Sequence, residues 1–421
     1  YGSLALIMIC GAAASTVFYL GIVGSLSRSY FDYKDLNERK KAVSTSVYLS
    51  AVGAILQILL AFLFKENLSL LIFNTDIYSN HILIVLISTA LAFLNNLFYV
   101  ILRYEKKSKQ VVILNLFSLI LSVVLITVML VILQLELMAP VLGMAITQGI
   151  LLIIMIYLTK GSFGLNYSSA EIRIQLSFGI PTMLSTLGFY ILISVDRLFI
   201  NKFLTLDDVG IYSLGFMLGT AINILLVQPF GQIWSPMRME YRNDENAQEF
   251  YKLILTYYFF IGFLITVIIS IFSKELVMVL SGRDEYLEAY KIVPIIMTAF
   301  LIQGSMGILD LGIVFARKVI YETYIFWFCV IVILILNYTL IPIFGYLAAA
   351  YNILITFLVA NGLVFLVSRR LFSVKFEYIR IFEIFFSSGL IMILGLVLIE
   401  NKFSLISTIF IKALLVLTLV V

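Results

Sequence analysis

Long apolar segments recur at close spacing along the whole chain, and each is about long enough for the roughly 20 residues that a membrane-spanning helix needs. Of the 421 residues, 62% are hydrophobic and only 12% are charged, which leaves too little polar surface for a water-soluble globule. Transmembrane barrels alternate polar and apolar residues, and these segments do not. The sequence therefore predicts an all-α polytopic membrane protein.

Thirteen spans are predicted from the apolar segments, and the distribution of Lys and Arg supports that number. Alternate loops hold twenty of the 28 basic residues, whereas the opposite loops hold five and three fall within spans. Because short cytoplasmic loops carry the excess of positive charge, the first visible span begins outside and the last runs inward. An uncut N-terminus outside is unusual, so we expect one further helix before Tyr1, and fourteen helices in full with both ends in the cytoplasm. The predicted spans cover residues 2–25, 42–64, 80–102, 110–133, 137–159, 176–203, 210–234, 251–272, 288–316, 323–343, 344–368, 381–399 and 404–421.

An internal repeat relates two parts of the chain at a spacing of roughly 210 residues. Basic residues end the third span at Arg103 and its counterpart at Arg317, and a turn with proline before glycine follows the next helix at 140–143 and at 342–345. An even number of helices separates the members of each pair, so the repeats are parallel, an arrangement known from transporters. We predict two six-helix lobes and a terminal helix pair.

The repeat also sets the expected limits of the domains. An N-terminal lobe without its first helix covers residues 1–160, and a cytoplasmic linker covers 161–175. The C-terminal lobe covers 176–370, and the terminal helix pair covers 371–421.

Ionisable residues inside the spans are candidates for a binding site, since a charge in a membrane is costly unless it faces protein or water. Asp196 and Arg197 are adjacent in the sixth span. Neighbours on a helix point about 100° apart, so one of them can face a cavity while the other pairs sideways. They lie in a predicted helical hairpin whose turn carries a capping-box pattern at Thr205 and Asp208.

Four further charged residues complete the predicted substrate-binding set. Asp310 lies in the ninth span amid glycines, which allow close packing or a break in the helix, and broken helices are where transporters place sites. Lys291 lies near the outer end of the same span, where it lines a cavity or merely snorkels. Arg28 and Arg238 lie at corresponding ends of the two repeats, where they guard a cytoplasmic mouth or serve as topology signals.

Other classes of function find no pattern in the sequence. It contains no HExxH motif, no phosphate-binding loop and no soluble insertion large enough for a catalytic domain, so we expect no enzyme. A membrane-embedded glycan polymerase or ligase, the alternative from another class, would carry a large external loop. The loops predicted outside are short, which counts against it. Cys10 and Cys329 lie far apart and the single His81 flanks a span, which gives neither a disulfide nor metal-ligand spacing. The net charge of +4 is a topology signal and indicates no nucleic-acid partner.

Residues 176–242 carry a resemblance to a known family. FGIP opens a helix that SVDRLFINKFL ends, DDVGIYSLGF opens the next helix, and IWSPM closes it. This pattern resembles the oligosaccharide flippases of polysaccharide biosynthesis, the Wzx-like members of the superfamily that also holds multidrug and toxin extrusion transporters and lipid II flippases. The resemblance implies two six-helix lobes arranged as a V around a central cavity, with alternating access. In this sequence the DR of the family pattern is Asp196 and Arg197.

The resemblance also implies a function in the bacterial inner membrane. The expected substrate is an oligosaccharide linked by pyrophosphate to undecaprenol, turned from the cytoplasmic to the outer leaflet, and arginine's fork of donors suits pyrophosphate. We expect an ion gradient of H⁺ or Na⁺ or the membrane potential to drive transport, with no cofactor, and polysaccharide polymerase machinery as a further partner beside the lipid bilayer. The alternative is a cation-coupled multidrug or metabolite antiporter of the same fold. It predicts acids deep in the first lobe, and no predicted span of that lobe contains Asp or Glu.

Overall fold

The computed structural model describes residues 2–33, 35–164, 167–316, 318 and 320–400, and these ranges are built of helices without a β-strand. Two short 3₁₀-helices and one π-helix accompany sixteen α-helices. The α-helices are α1 (Gly2–Phe18), α2 (Ile22–Asp32), α3 (Leu36–Phe73), α4 (Ser79–Tyr104), α5 (Ser108–Val131), α6 (Met138–Thr159), α7 (Ser169–Phe203), α8 (Leu206–Gly219), α9 (Gln228–Glu240), α10 (Ala247–Ile271), α11 (Ser273–Ser281), α12 (Val293–Leu309), α13 (Leu311–Phe315), α14 (Ile320–Phe344), α15 (Tyr346–Leu371) and α16 (Tyr378–Glu400).

Eleven helical segments of the described chain are long and apolar enough to cross a membrane. They correspond in order to the first eleven predicted spans, so the predicted all-helical polytopic fold is confirmed. The twelfth predicted span falls within α16, and the thirteenth, 404–421, lies outside the described residues. The predicted arrangement of two lobes as a V around a cavity stays a prediction.

The helix α3 is longer than the span predicted within it. It contains 38 residues and ends at Asn74, which adopts the left-handed conformation with φ 56° and donates its N–H to the carbonyl of Leu70. At 1.5 Å per residue α3 is roughly 57 Å long, whereas a bilayer core is about 30 Å thick. Hydropathy detects only the apolar part of such a helix, which is why the polar turns at its start were missed.

Three predicted spans are interrupted where the sequence suggested one continuous helix. The first breaks before Gly21, whose φ of +62° favours glycine and where an added Cβ would collide with Gly179 of α7. The seventh changes into a π-helix at Asn223–Val227, and the ninth breaks at Asp310. Such breaks depend on contacts between helices, which a single-segment hydropathy pattern does not contain.

The described chain forms two compact units. One comprises residues 3–194, and the other comprises residue 2 together with the chain from Val195 onward. In the first, α4 packs against α3 and α6; in the second, α12 is largely buried and packs against α8, α10 and α15. The helix α7 runs through the boundary between the units. The predicted domain limits at residues 160, 175 and 370 stay predictions.

Candidate functional site

The turn between α7 and α8 fixes the two helices that carry the first candidate pair. The side chain of Thr205 accepts a hydrogen bond from the backbone N–H of Asp208 at 3.2 Å, and the Asp208 carboxylate accepts the backbone N–H of Thr205 at 3.0 Å. The predicted capping box is therefore confirmed, and it satisfies two backbone donors at the start of α8. The tight turn places the side of α8 that bears Tyr212 against Asp196.

Asp196 is completely buried, and both of its carboxylate oxygens accept hydrogen bonds. One oxygen accepts from the backbone N–H of Arg197 at 2.8 Å and from its Nη1 at 3.3 Å, while the other accepts from the hydroxyl of Tyr212. The Arg197 guanidinium lies 4.0 Å from the ring centre of Phe216 and 5.4 Å from that of Tyr212. Cations are attracted to aromatic faces. The ion pair is therefore enclosed, because the rings cover the guanidinium and the hydrogen bonds satisfy the carboxylate.

A second ion pair lies at the break between α12 and α13. Nη1 of Arg238, near the end of α9, donates to Asp310 at 2.8 Å and to the carbonyl of Gly307 at 3.1 Å. Nε1 of Trp234 donates to the same carbonyl at 2.6 Å. Because the helix stops at Leu309, the last carbonyls of α12 have no partner within the helix, and side-chain donors from α9 satisfy one of them.

Glu322, in the first turn of α14, adds a second carboxylate to this pair. Its charge acts on Arg238 and Asp310, and its Oε1 is buried without a hydrogen-bond partner among the described residues. Nε of Arg238 is likewise buried and unpartnered there. Among the described side chains, the cluster therefore holds two carboxylates against one guanidinium. Sequence analysis missed Glu322 because it lies just outside the predicted tenth span, and only its acidic character beside a span start marked it.

The remaining predicted residues lie apart from these two pairs. Lys291 ends a 3₁₀-helix and binds Glu288 at 2.5 Å with its side chain 39% exposed, so it is part of a surface ion pair. Arg28 lies in α2 and its side chain is outside the described part of the structure. The structure thus brings Asp196 to Arg197, and Arg238 to Asp310, and it leaves Lys291 with a different partner.

The buried amides of the spans join neighbouring helices. Gln57 donates to the carbonyl of Leu86 at 2.9 Å, Asn95 donates to the Gln148 side chain at 2.8 Å, and Asn352 donates to Asn337 at 2.9 Å. Hydrogen bonds of this kind between membrane helices contribute about 1 kcal/mol each. The three contacts therefore give these buried amides a structural role.

A buried carboxylate that sequence analysis missed lies at the start of α7. Glu171 accepts hydrogen bonds from the Tyr33 hydroxyl at 2.8 Å and from Nε2 of Gln175 at 3.1 Å. Gln175 also bonds the backbone of Ala42 and the hydroxyl of Ser46 in α3. The stretch predicted as a cytoplasmic linker is consequently anchored to α3 at this point. The only sequence signal for this contact was the spacing of Glu171 and Gln175 by four residues, which places them on one face of a helix.

An all-helical fold with eleven described segments able to span a membrane, and with two largely buried ion pairs, defines a polytopic membrane protein. Among solved structures, lipid II flippase MurJ in an inward-closed conformation is similar with a TM-score of 0.78 at 14% identity, covering 99% of this chain and 91% of that chain. An inward-facing multidrug resistance MATE family transporter of the MOP superfamily is similar with a TM-score of 0.68 at 14% identity, covering 88% and 93%. The Vibrio cholerae MATE transporter VcmN gives 0.60 at 13% identity, covering 87% and 86%.

A family model described as polysaccharide biosynthesis protein matches residues 1–291. The chain therefore belongs to that family, and the relation predicted from residues 176–242 is confirmed. No curated protein sequence matches the chain. The protein is a multipass membrane protein of the polysaccharide biosynthesis family, and its fold is similar to those of the lipid II flippase and MATE transporter structures.

Proposed function

We propose that the protein is a flippase for undecaprenyl-pyrophosphate-linked oligosaccharide repeat units, as used for O-antigen, capsule or a similar glycan. It moves them across the bacterial inner membrane by alternating access. The match of residues 1–291 to a polysaccharide biosynthesis family, in a chain with a flippase fold, carries this proposal. Both ends of the complete chain are proposed to be cytoplasmic, and polysaccharide polymerase machinery is the proposed partner that uses the translocated unit.

The two ion pairs support a role in binding the pyrophosphate. Each guanidinium is held by a carboxylate, and a pyrophosphate offers more oxygens to the same fork of donors. Arg238 is the more accessible of the two arginines, with 17% of its side chain exposed against 9% for Arg197. In this proposal the substrate displaces Asp310 from Arg238, whereas Asp196 and Tyr212 hold Arg197 until the surrounding helices separate.

The excess of carboxylates supports coupling of transport to H⁺ or Na⁺. Asp310, Glu322 and an incoming pyrophosphate are all anions that compete for Arg238. Like charges close together in a poorly hydrated site repel strongly, so binding of the substrate requires that one carboxylate is neutralised. The unpartnered Oε1 of Glu322 is the proposed place where the proton or cation is taken up.

A reconstituted flipping assay with a pyrophosphate-linked polyprenyl oligosaccharide tests the proposal. Arg197→Ala and Asp310→Asn are each expected to slow flipping by at least about tenfold, the loss of one charge-assisted hydrogen bond. Because removal of one member of a buried pair costs about 3–5 kcal/mol of stability, Arg197→Lys is added, which keeps the charge and loses the fork. Lys65→Ala, on an exposed contact with Asn80, serves as the control for insertion.

Normal flipping by all three variants would refute the assignment of these residues to the substrate site. A folded wild-type protein that flips no lipid-linked oligosaccharide but exchanges a cationic drug for protons would refute the flippase proposal in favour of the antiporter.

A further inference from the structure

A cavity of about 220 Å³ opens beside the first turns of α3 in the unit of residues 3–194. Its wall includes Arg39 and Lys40 of α3, Tyr30 of α2, and Gly161 and Ser162 in the loop after α6. By the distribution of basic residues this end of α3 is cytoplasmic. The substrate-binding set proposed above includes none of these residues.

The two cations in the wall are available to a ligand. Nε of Arg39 donates to the backbone carbonyl of Tyr33 at 2.6 Å, and its guanidinium lies 5.4 Å from the ring centre of Tyr30. These contacts orient the fork but leave its terminal nitrogens without an anion. Lys40 extends its stem beside Gly164. Among the side chains that the structure describes, no carboxylate lies within ion-pair distance of either cation.

Two glutamates near the cavity already have partners. Glu105 lies in the wall, but it binds Lys107 at 2.7 Å and accepts a hydrogen bond from the hydroxyl of Ser162. Glu38, on the same turn as Arg39, binds Lys41 at 2.8 Å. Glu105 and Glu38 consequently leave Arg39 and Lys40 without an ion pair among the described side chains.

The second repeat contains a cavity at the equivalent place, and one of its two lysines is paired with carboxylates. It lies between the first turns of α10 and the loop after α15, has a volume of about 700 Å³, and includes Lys252 and Lys375. Lys252 lies 3.3 Å from both Glu249 and Glu377. Lys375 has no ion-pair partner among the described side chains, but no arginine lines the second cavity. The guanidinium is therefore particular to the first cavity, although both repeats have cytoplasmic basic residues.

We propose that the cavity at Arg39 and Lys40 binds a phosphate group carried by a membrane lipid. A guanidinium matches phosphate oxygens through two parallel donors, and a lysine adds a point charge. The cavity is open to the cytoplasmic side, where lipid phosphates lie close to the emerging end of α3. The phosphate can belong to an anionic phospholipid of the cytoplasmic leaflet or to a polyprenyl pyrophosphate; only the second source rests on the proposed function.

A binding measurement separates the two sources. The complete protein is reconstituted in phosphatidylcholine nanodiscs and titrated with short-chain phosphatidylglycerol, with a short-chain polyprenyl pyrophosphate, and with a diacylglycerol that lacks phosphate. Arg39→Gln and Lys40→Gln are compared with wild type, and Lys375→Gln in the equivalent cavity is the matched control. Because the Lys40 side chain forms no hydrogen bond or ion pair with the described residues, its replacement is expected to leave the fold unchanged and keeps the test decisive.

We expect both variants at the first cavity to bind at least one phosphate-bearing lipid roughly tenfold more weakly, while Lys375→Gln binds like wild type. A loss confined to phosphatidylglycerol identifies a phospholipid site, and a loss confined to polyprenyl pyrophosphate identifies a substrate site. Wild-type affinity of Lys40→Gln for both lipids, or an equal loss for diacylglycerol, would overturn the proposal. A protein that does not flip the lipid-linked oligosaccharide can still bind phosphatidylglycerol at this cavity. The lipid-binding proposal and the flippase proposal can therefore be refuted independently.

Discussion

Tyr212 is the single residue that completes the burial of the Asp196–Arg197 pair. A buried carboxylate is tolerated only when its oxygens are hydrogen-bonded, and the Tyr212 hydroxyl supplies the partner for the oxygen that Arg197 does not reach. Arg238 and Asp310 differ, because their pair is more exposed and Glu322 adds an unpartnered oxygen. One pair is therefore expected to hold the structure together, and the other to exchange partners.

Tyr212→Phe should lower the free energy of unfolding by about 1–3 kcal/mol, since it removes a donor to a buried acceptor and leaves the ring in place. Thermal unfolding in detergent measures this loss. Tyr338→Phe is the control, because that ring is 60% exposed and contacts Phe203 edge-on. Equal melting temperatures for Tyr212→Phe and wild type would contradict the stabilising role.

The residues of the site show how far sequence reasoning reaches. Asp196, Arg197 and Asp310 stood out because charge is rare in apolar spans, and Arg238 stood out through the repeat. Glu322 and Glu171 lie in the first turns of helices, where an acid is ordinary, so the weak sequence signals beside them did not predict their burial. Which charges meet across helices is set by tertiary packing.

At the scale of helices, close backbone approach holds α13 against α15. Gly312 donates its N–H to the hydroxyl of Ser368 at 2.8 Å, and a Cβ on Gly312 would collide with the backbone carbonyl of Ser368. Small residues at such contacts allow membrane helices to approach closely. The approach keeps the short α13, and with it the break at Asp310, in place.

Gly312→Ala should destabilise the protein by about 1–3 kcal/mol, since the new methyl group overpacks the contact. Gly362→Ala in α15 is the matched control, because no atom lies within 4 Å of its added Cβ. It should be neutral or gain up to about 1 kcal/mol from helix propensity. Melting temperatures of the two variants that move together would argue against the close contact.

The loop before α16 contains a carboxyl group whose ionisation should affect stability. Loss of hydration raises the pKa of Glu377, but hydrogen bonds from Thr256 and Lys252 and the charges of Arg380 and Lys252 outweigh it, so the pKa lies below its usual 4.5. A group with a lowered folded-state pKa stabilises the protein above its unfolded pKa, and this contribution is lost as the pH falls through the folded value.

Wild type should therefore melt at a higher temperature than Glu377→Gln at pH 7, and the difference should shrink as the pH falls below about 4.5. Melting curves across this pH range measure it. A difference that stays constant with pH would indicate that packing, and not ionisation, is responsible.

Helix limits were predictable to the extent that hydropathy defines them. The apolar part of each of the first eleven spans was located, because the bilayer imposes its length on the sequence. The interruptions at Gly21 and at Asn223–Val227 were not, since each depends on what a neighbouring helix presents. At Asp310 the glycines allowed a break only as one of two alternatives. The polar overhang of α3 was also missed, because helical backbone can continue where apolar character ends.

For the molecule as a whole, the alternation of basic loops predicts an orientation that labelling can test. In a background with Cys10→Ala and Cys329→Ala, Asp76→Cys lies in a loop predicted outside, and Ser108→Cys follows a loop predicted inside. A membrane-impermeant maleimide applied to intact cells should label only Asp76→Cys, and permeabilised cells should show both. Labelling of Ser108→Cys alone in intact cells would reverse the topology.

The two equivalent cavities have a consequence for how such a chain evolves. A duplicated half, as the repeat predicts, supplies each structural feature twice, so the two copies can acquire different charged side chains. In the second repeat, Glu377 supplies the balancing charge for Lys252; in the first, Arg39 and Lys40 lack such a partner among the described side chains. Two copies of one ancestral half can thus diverge into unlike surfaces while the helices that support them remain the same.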